Sequence, residues 1–383
     1  MSPFNYIWKI PIVLQNPQMK SQTIQFILDT PSATITVPGE YTIINPDHSL
    51  FYRVNYHSDM LRNIKNILRS DRNRFTAQDR TGFISDQFSF AAAGITSISS
   101  ALDILIYIRD ETDFFPWNQA LQHTSFIHSL IEEQTVRKSF GTFVRNITEK
   151  MMFRTGWHKP RTANEGSLQL LMIKQACSND PVLRDPQKIT EAKMLYESWM
   201  NGTSISVRPS LVPVINDCAI AHGPDMYWEF LFGKLKEGVG NRDDIMTSLT
   251  ATTNPIIIRR LLNQSMDEES VIKSQDVPYI VEAIAVRSEK GRMLCWDFIK
   301  NNWSRIIKVY GNELYLLGYM LHSVLETFST QHQLDEAMEF FRGRDLQSGS
   351  QAYKQAQIKI RAKIRWKERH IEDLRRWLEK EGF

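Results

Sequence analysis

Residues 7–56 alternate between apolar and polar positions with the period of two that is typical of β-strands. Turn signals such as Pro38-Gly39 and Asn45-Pro46 separate short apolar segments. We predict that these segments are strands, at residues 8–13, 23–27, 33–37, 41–44 and 51–56. Short strands with closely spaced turns indicate a small β-sandwich. Because five strands leave sheet edges unpaired, we expect this sandwich to be partial and to be completed by something upstream.

From His57 onward the apolar positions recur with the period of an α-helix. Asp79 opens one such segment, and Ser97 is a predicted cap of the next. We predict about fourteen helices, separated by short breaks rich in Gly, Pro, Asn or Asp. Short breaks make successive helices antiparallel, and a series of such hairpins builds an α-solenoid.

Length and pattern together predict the architecture. A chain of 383 residues is too long for one compact core. We therefore predict a mainly α protein with two domains: a partial β-sandwich over residues 1–56, and an irregular α-solenoid over residues 57–383. No fixed sequence period recurs, which favours a HEAT- or armadillo-like superhelix over a tandem consensus array.

The last predicted helix, over residues 351–380, has one apolar face and an otherwise strongly basic sequence. Ten Lys or Arg residues lie between Lys354 and Lys380, offset by four acidic residues. The favoured interpretation is a solvated basic face on a capping helix. An anion-facing surface, for example for an acidic peptide, is the alternative.

Composition limits the partners. Hydrophobic content of 42% and charged content of 23% are ordinary for a folded protein, and the net charge of +3 is too small to indicate nucleic-acid binding. The sequence contains no apolar stretch of about 18 residues, so no transmembrane helix is predicted. The first nine residues lack the pattern of a signal peptide. We expect a soluble chain, and the sequence leaves its compartment and the use of its four N-x-[ST] sequons open.

Three cysteines, Cys177, Cys218 and Cys295, are widely spaced and odd in number. From this we predict that they cannot form a disulfide framework, and they show no CxxC metal spacing. We therefore predict that all three are buried free thiols.

No pattern in the chain predicts catalytic chemistry. The sequence contains no HExxH, G-x-S-x-G, P-loop or G-x-G-x-x-G motif. His123 and His128 are five residues apart and so diverge around a helix, whereas zinc sites of the HExxH type need a spacing of four. His322 and His332 have no carboxylate at ligand spacing, and His370 lies only two residues from Glu368. We predict no catalytic residue, no metal ligand and no cofactor in this chain.

The order of several motifs resembles that of the zinc aminopeptidases of the aminopeptidase N and endoplasmic reticulum aminopeptidase type. The resemblance runs colinearly over about residues 7–380. The motifs that carry it are Phe51-Tyr-Arg-Val-Asn-Tyr56, Asp79-Arg80, Ile84-Ser-Asp-Gln-Phe88, Ala93-Gly94, Ala101-Leu-Asp-Ile-Leu105, Glu111-Thr112, Pro116-Trp117, Gly291-Arg-Met-Leu-Cys-Trp-Asp-Phe298, Asn302-Trp303 and Phe328-Ser-Thr330 with Leu334, Phe340 and Phe341.

The resemblance implies that this chain is the end of the small β-sandwich followed by the helical superhelical domain of such an enzyme. That domain caps the active site and encloses the peptide. The catalytic domain, with its zinc helix, its Gly-Ala-Met-Glu-Asn motif and its catalytic tyrosine, has no counterpart here. Zinc would be present only through a catalytic domain outside this chain. Family members occur as membrane-anchored or luminal ectodomains and as cytosolic enzymes.

Several positions depart from the family pattern. The Tyr-Lys pair and the Arg that bind a peptide's C-terminal end in the endoplasmic reticulum branch fall on His128, Ser129 and Ala251. A family Arg is replaced by Val212, a Gly before the junction is Leu50, and the cysteine expected shortly after Cys177 is missing. Substrate-binding residues therefore stay unassigned.

Three functions remain open. The first is a non-catalytic module that binds or encloses peptide and regulates or caps a catalytic domain. The second is part of a functional zinc aminopeptidase, which removes N-terminal residues from peptides, with its catalytic domain outside this chain. The third is a helical-repeat adaptor for protein partners. The missing zinc motif argues against activity of this chain alone, and the incomplete sandwich favours the second function over the third.

Overall fold

The computed structural model describes residues 6–16, 19–37, 42–203, 207–267 and 269–383. The chain divides into two compact units. The first unit comprises Met1–Lys150, Thr162–Leu168 and Arg369–Phe383, and the second comprises Met151–Arg161 and Gln169–Glu368. The predicted boundary near residue 57 coincides with the start of the first helix at Ser58. The division into domains 1–56 and 57–383 stays a prediction.

A single antiparallel sheet of three strands is present in the described part of the first unit. Its strands are β1 (Ile10–Asn16), β2 (Met19–Leu28) and β3 (Ile43–Ile44), in the order β2-β1-β3. Val13 lies opposite Gln25, and Leu14 lies opposite Ile44. Leu14 and Asn16 are buried on one face of β1, whereas Pro11 on the other face is exposed, so one face packs inward as the alternation predicted.

Two of the five predicted strands are wrong. Residues 33–37 are irregular and largely exposed, so their alternation does not correspond to a buried face. Residues 51–56 run without strand pairing because side chains, described below, take the place of a neighbouring strand. Three of the predicted strands are confirmed in place, although residue 41 of the fourth lies outside the described residues.

Helices dominate the rest of the chain, as predicted: the structure is 69% helical. Seventeen α-helices lie in the described ranges, against about fourteen expected. They are α1 Ser58–Asp71, α2 Ala77–Ala92, α3 Ile98–Leu105, α4 Phe114–Leu130, α5 Gln134–Arg154, α6 Ala163–Ala176, α7 Pro186–Met200, α8 Val212–His222, α9 Asp225–Glu237, α10 Arg242–Leu249, α11 Pro255–Gln264, α12 Val277–Arg287, α13 Glu289–Asn301, α14 Trp303–Tyr310, α15 Leu316–Leu325, α16 Gln331–Phe341 and α17 Ser350–Lys380.

Side-chain caps fix where several helices begin. Thr76 accepts from the Asp79 backbone N–H at 3.1 Å, and the Asp79 carboxylate accepts from Thr76 N–H at 3.0 Å, which forms a capping box at α2. Ser97 accepts from Ser100 N–H at the start of α3, as predicted. Such caps satisfy N–H groups that the first helical turn leaves without partners.

Helix α17 confirms the prediction for residues 351–380 almost to the residue. Its predicted apolar face is turned away from solvent: Ala356, Ile360, Leu374 and Leu378 are buried. No helix among the described residues is long and apolar enough to span a membrane.

Candidate functional site

The segment that precedes α1 is held on α2 by a turn at residues 45–48. Asn45 has a positive φ of 60°, which Asn tolerates better than most residues. Its side chain donates to the carbonyls of Leu50 and Tyr52 and accepts from Leu50 N–H at 2.8 Å. The His48 ring lies so close to α2 that a Cβ on Gly82 would come within 2.7 Å of it. This approach therefore requires glycine at residue 82.

Asp86 on α2 takes the place of a neighbouring strand for residues 51–56. Its carboxylate accepts from Val54 N–H at 2.8 Å, from Arg53 Nη1 at 3.0 Å and from His48 Nε2 at 3.3 Å. Tyr56 donates its hydroxyl to the Ile44 carbonyl of β3. No described strand pairs with this segment, and the buried Asp86 carboxylate accepts from one of its backbone N–H groups, that of Val54.

A buried ion pair links α2 to the start of α4. Arg80 donates from Nε to Glu111 Oε2 at 2.6 Å and from Nη2 to Glu111 Oε1 at 2.9 Å, with side chains 4% and 0% exposed. Arg80 also donates to Asp113 at 2.7 Å and to the Phe75 carbonyl at 2.7 Å. Trp117 donates its indole N–H to the Glu111 carbonyl. Burial opposes the Arg80 charge, but the contacts with Glu111 outweigh it and raise the pKa of Arg80.

Asp86 and Glu111 have structural roles, because each accepts from several backbone and side-chain donors. The sequence patterns mark Asp79 as a predicted helix start, whereas Arg80 and Glu111 belong to the matched motifs without an assigned role. A signal was available, because Arg80 lies on the same apolar helix face as Phe83 and Ile84, and a charged residue in a buried stripe requires a buried partner.

The cysteine prediction is wrong for two of the three residues. Cys177 and Cys218 form a disulfide with a Cα–Cα distance of 5.4 Å, across 41 positions of sequence. The loop after α6 places Cys177 beside α8, which carries Cys218, and His222 Nε2 lies 3.0 Å from the Cys177 carbonyl. Cys295 is a buried free thiol as predicted, and burial raises its pKa.

Two of the candidate histidines make contacts of different kinds. His123 stacks on Phe88 with ring centroids 4.5 Å apart and its Nε2 lies 2.7 Å from the Gln119 amide nitrogen. Burial, with the Arg53 charge as a smaller cause, lowers the pKa of His123 to about 4. His322 Nδ1 lies 3.3 Å from Glu326 Oε2, four residues further along the chain, so the prediction that no carboxylate lies at ligand spacing from His322 is wrong. Among the described residues, no group of three or more His, Cys, Asp or Glu is arranged to hold a metal ion.

The positions where the family places peptide-binding bases are distributed over both units. His128 is buried on α4 and Ser129 is exposed beside it, whereas Ala251 is buried just after α10. Val212 is the first residue of α8. None of these four residues is a lysine or an arginine, and the altered subsite stays a prediction.

Part of the basic sequence of α17 is used within the chain. Arg375 pairs bidentately with Glu133, Lys359 donates to Glu326 at 2.8 Å, and Lys363 donates to the Glu326 carbonyl. Burial lowers the pKa of Lys363. These contacts favour the interpretation of α17 as a capping helix over an anion-facing surface.

A concave surface lies in the second unit, between α10, α12 and the start of α15. It is a cavity of about 590 Å³. Two carboxylates, Asp243 and Asp276, and two tyrosines, Tyr279 and Tyr315, contribute to its lining together with apolar and threonine side chains. The sequence patterns gave no indication of it, because its polar residues come from three separate elements.

The fold and these contacts define a class of protein: a mainly helical chain whose short N-terminal sheet is joined to its helices through buried carboxylates. A family model described as the ERAP1-like C-terminal domain matches residues 41–362. The chain belongs to this family, which confirms the resemblance inferred from its motifs.

Curated relatives match nearly the whole chain. Aminopeptidase A of Gloydius brevicauda is 28% identical over 99% of this chain, aminopeptidase N of Bos taurus 25% over 98%, and endoplasmic reticulum aminopeptidase 1 of Rattus norvegicus 26% over 98%. In each case the match covers 40% of the relative's length. The chain therefore spans less than half the length of the curated relatives that it resembles.

Proposed function

We propose that this chain is the C-terminal part of an aminopeptidase-type protein, in which the helices of residues 57–383 form a solenoid that encloses peptide and caps a catalytic domain. The chain itself contributes no catalytic residue. The observation that carries the proposal is the family match over residues 41–362, joined to relatives whose names all describe aminopeptidases.

The share of the relatives that is matched supports this division of labour. The chain aligns with 40% of each relative, and it contains no HExxH motif. We infer that zinc and the hydrolytic chemistry reside in the part of such a protein that this chain does not cover, where a metal ion would supply a Lewis acid and an activated water.

The N-terminal sheet supports a docked neighbour. Tyr6, Ile7, Trp8 and Ile27 are large apolar side chains, and each is more than half exposed on or next to the strands. Exposed apolar groups of this kind are typical of interaction surfaces. A preceding domain of an aminopeptidase is the partner that the length of the relatives favours.

Two measurements test the proposal on the purified chain. Aminoacyl fluorophores should not be hydrolysed, with or without added zinc, whereas fluorescein-labelled peptides should bind and raise the fluorescence anisotropy. Turnover that a chelator abolishes would overturn the non-catalytic assignment, and no binding across a diverse peptide library would favour an adaptor for protein partners.

The second function, part of a working zinc aminopeptidase, has its own test. The messenger RNA upstream of codon 1 should be sequenced. An in-frame HExxH followed about twenty residues later by a glutamate, as in zincins of this type, would assign this chain to such an enzyme. An upstream region with stop codons in frame would favour a stand-alone module.

A further inference from the structure

The cavity between α10, α12 and α15 combines aromatic rings with negative charge. Tyr279 on α12 and Tyr315, which precedes α15, both line it, and each exposes about half of its surface. Asp243 on α10 and Asp276 before α12 supply carboxylates. None of the described lining residues is a lysine, arginine or histidine.

The two tyrosines are held in position by their neighbours. The Tyr279 ring contacts the Tyr319 ring with centroids 5.0 Å apart and an interplanar angle of 52°. Tyr319 in turn donates its hydroxyl to Glu282. Tyr315 is a side-chain neighbour of Tyr279 and raises the pKa of that phenol. The rings thus present fixed, electron-rich faces, which attract cations within about 6 Å of a ring centroid.

The two carboxylates differ in how far their charge is neutralised. Asp276 accepts from Arg242 at 2.6 Å and from Lys273 N–H at 2.9 Å, so its charge is largely balanced. Asp243 lies in the first turn of α10, where the helix dipole stabilises a negative charge. Its charge interacts with that of Arg242, which is itself paired with Asp276. Arg287 donates to the lining residue Thr250 at 3.0 Å and is paired with Asp217. Together these three acids and two arginines leave one net negative charge at the cavity.

We propose that this cavity binds the cationic end of an arginine or lysine side chain of a bound peptide, a site that rests on the proposed peptide-binding function. A guanidinium matches the surroundings best, because it stacks on aromatic rings and donates to a carboxylate at the same time. A free carboxylate or phosphate would be repelled by Asp243, and a purely apolar ligand would leave that charge without a partner. The volume of about 590 Å³ holds such a side chain together with its backbone.

A titration with N-acetyl-L-arginine amide tests the cavity without a peptide. The tyrosine resonances of the full chain, labelled with 3-fluorotyrosine, should shift at Tyr279 and Tyr315, and the uncharged analogue N-acetyl-L-citrulline amide should bind at least about fivefold more weakly. Replacing each tyrosine in turn assigns the resonances. Equal binding of the two amides, or no shift at either tyrosine, would overturn the inference.

Matched variants locate the charge and the ring. Asp243→Asn should weaken binding of the arginine amide about fivefold or more, whereas Asp244→Asn, an exposed acid on the same helical turn outside the lining, should leave it unchanged. Tyr279→Phe retains the ring face and should retain binding, and Tyr279→Leu should lose it. Equal effects of the two aspartate variants would contradict the proposal.

A second arm separates this site from the proposed function. Peptides that differ only by arginine or citrulline at one position are titrated by anisotropy into the chain and into the Asp243→Asn variant. An arginine preference that disappears in the variant supports the proposal. Peptides that bind without such a preference overturn the site but leave peptide binding intact. If the amide binds and no peptide does, the assignment to a peptide fails together with the proposed function.

Discussion

Replacement of Glu111 by alanine removes the bidentate partner of a guanidinium that has almost no access to water. Arg80 and Glu111 have side chains 4% and 0% exposed. A buried charge left without its partner typically destabilises a protein by about 3–5 kcal/mol. The backbone N–H groups of Thr112 and Asp113 also donate to Glu111, at 2.8 and 3.0 Å, and would lose their acceptor.

Two remaining contacts limit the loss. Asp113 Oδ2 and the Phe75 carbonyl each lie 2.7 Å from an Arg80 nitrogen and stay in place after the substitution. We therefore expect the free energy of unfolding of the first unit to fall by about 3 kcal/mol, near the lower end of that range. Glu111→Gln keeps the shape and one acceptor but removes the charge. Its free energy of unfolding should lie between those of the wild type and Glu111→Ala.

The assay must report on the first unit alone. Tryptophan fluorescence does not, because nine tryptophans are spread over the chain. Hydrogen exchange resolved by peptide over α2 and α4, at increasing urea concentration, measures the local opening free energy there. Glu339→Ala is the control: it breaks an exposed pair with Arg342, and the opening free energy measured by exchange over its own helix, α16, should change by less than about 0.5 kcal/mol.

The combined variant Arg80→Met with Glu111→Leu sharpens the test. Replacing both members of a buried pair by apolar residues of similar size is often neutral or stabilising. We expect it to be more stable than Glu111→Ala. The reasoning is refuted if Glu111→Ala behaves like Glu339→Ala, since the buried guanidinium would then need no partner.

Three further predictions concern other contacts. Replacing Cys177 and Cys218 by alanine should lower the urea midpoint of the second unit, because loop-closure entropy over 41 positions corresponds to about 4 kcal/mol. As a control, oxidised Cys295→Ala protein should still have a midpoint that reductant lowers. A midpoint that reductant does not change would contradict the disulfide. The pKa of His123 is lowered from 6.5 to about 4, so the unfolded state binds the proton more readily. The stability that neutral His123 contributes should be fully present above pH 6.5 and should be lost as the pH falls from 6.5 through about 4. His123→Gln should flatten that part of a stability-against-pH curve, and an unchanged slope would argue against this origin. Thr76→Ala should destabilise α2 by about 1 kcal/mol in hydrogen exchange, whereas Thr76→Ser keeps the hydroxyl cap and should change little; equal losses would point to the lost methyl group instead.

The helical part of the fold could be predicted because its signal is local. An apolar stripe with a period of 3.6 records the face that a helix buries, whichever element covers it. Helix α17 was therefore placed almost to the residue, and Ser97 was identified as a cap from its own position. The number of helices was less accurate, because a break as short as the one at Asn302 between α13 and α14 interrupts a helix without interrupting its apolar pattern.

The errors arise where a partner lies far along the chain. Residues 51–56 alternate as a strand does, but the acceptor for Val54 N–H is the carboxylate of Asp86 on a helix. A period of two describes an extended backbone and does not specify what pairs with it. The disulfide between Cys177 and Cys218 was missed for the same reason: an odd number of widely spaced cysteines contains no information on which two the fold brings together.

The same argument explains why the candidate sites were not found from motifs. A motif is visible when one helix or loop carries all the groups that the chemistry needs, as HExxH does. Asp243, Tyr279 and Tyr315 lie on or beside α10, α12 and α15, and their relation exists only after those elements pack. Arg80 is an exception, because a charge within the apolar stripe of α2 predicts a buried partner of opposite charge. Which residue that partner is, here Glu111, depends on the fold. A search for charged residues within predicted apolar stripes would therefore recover structural ion pairs from sequence, whereas a cavity that binds a cation has exposed members and leaves no such pattern.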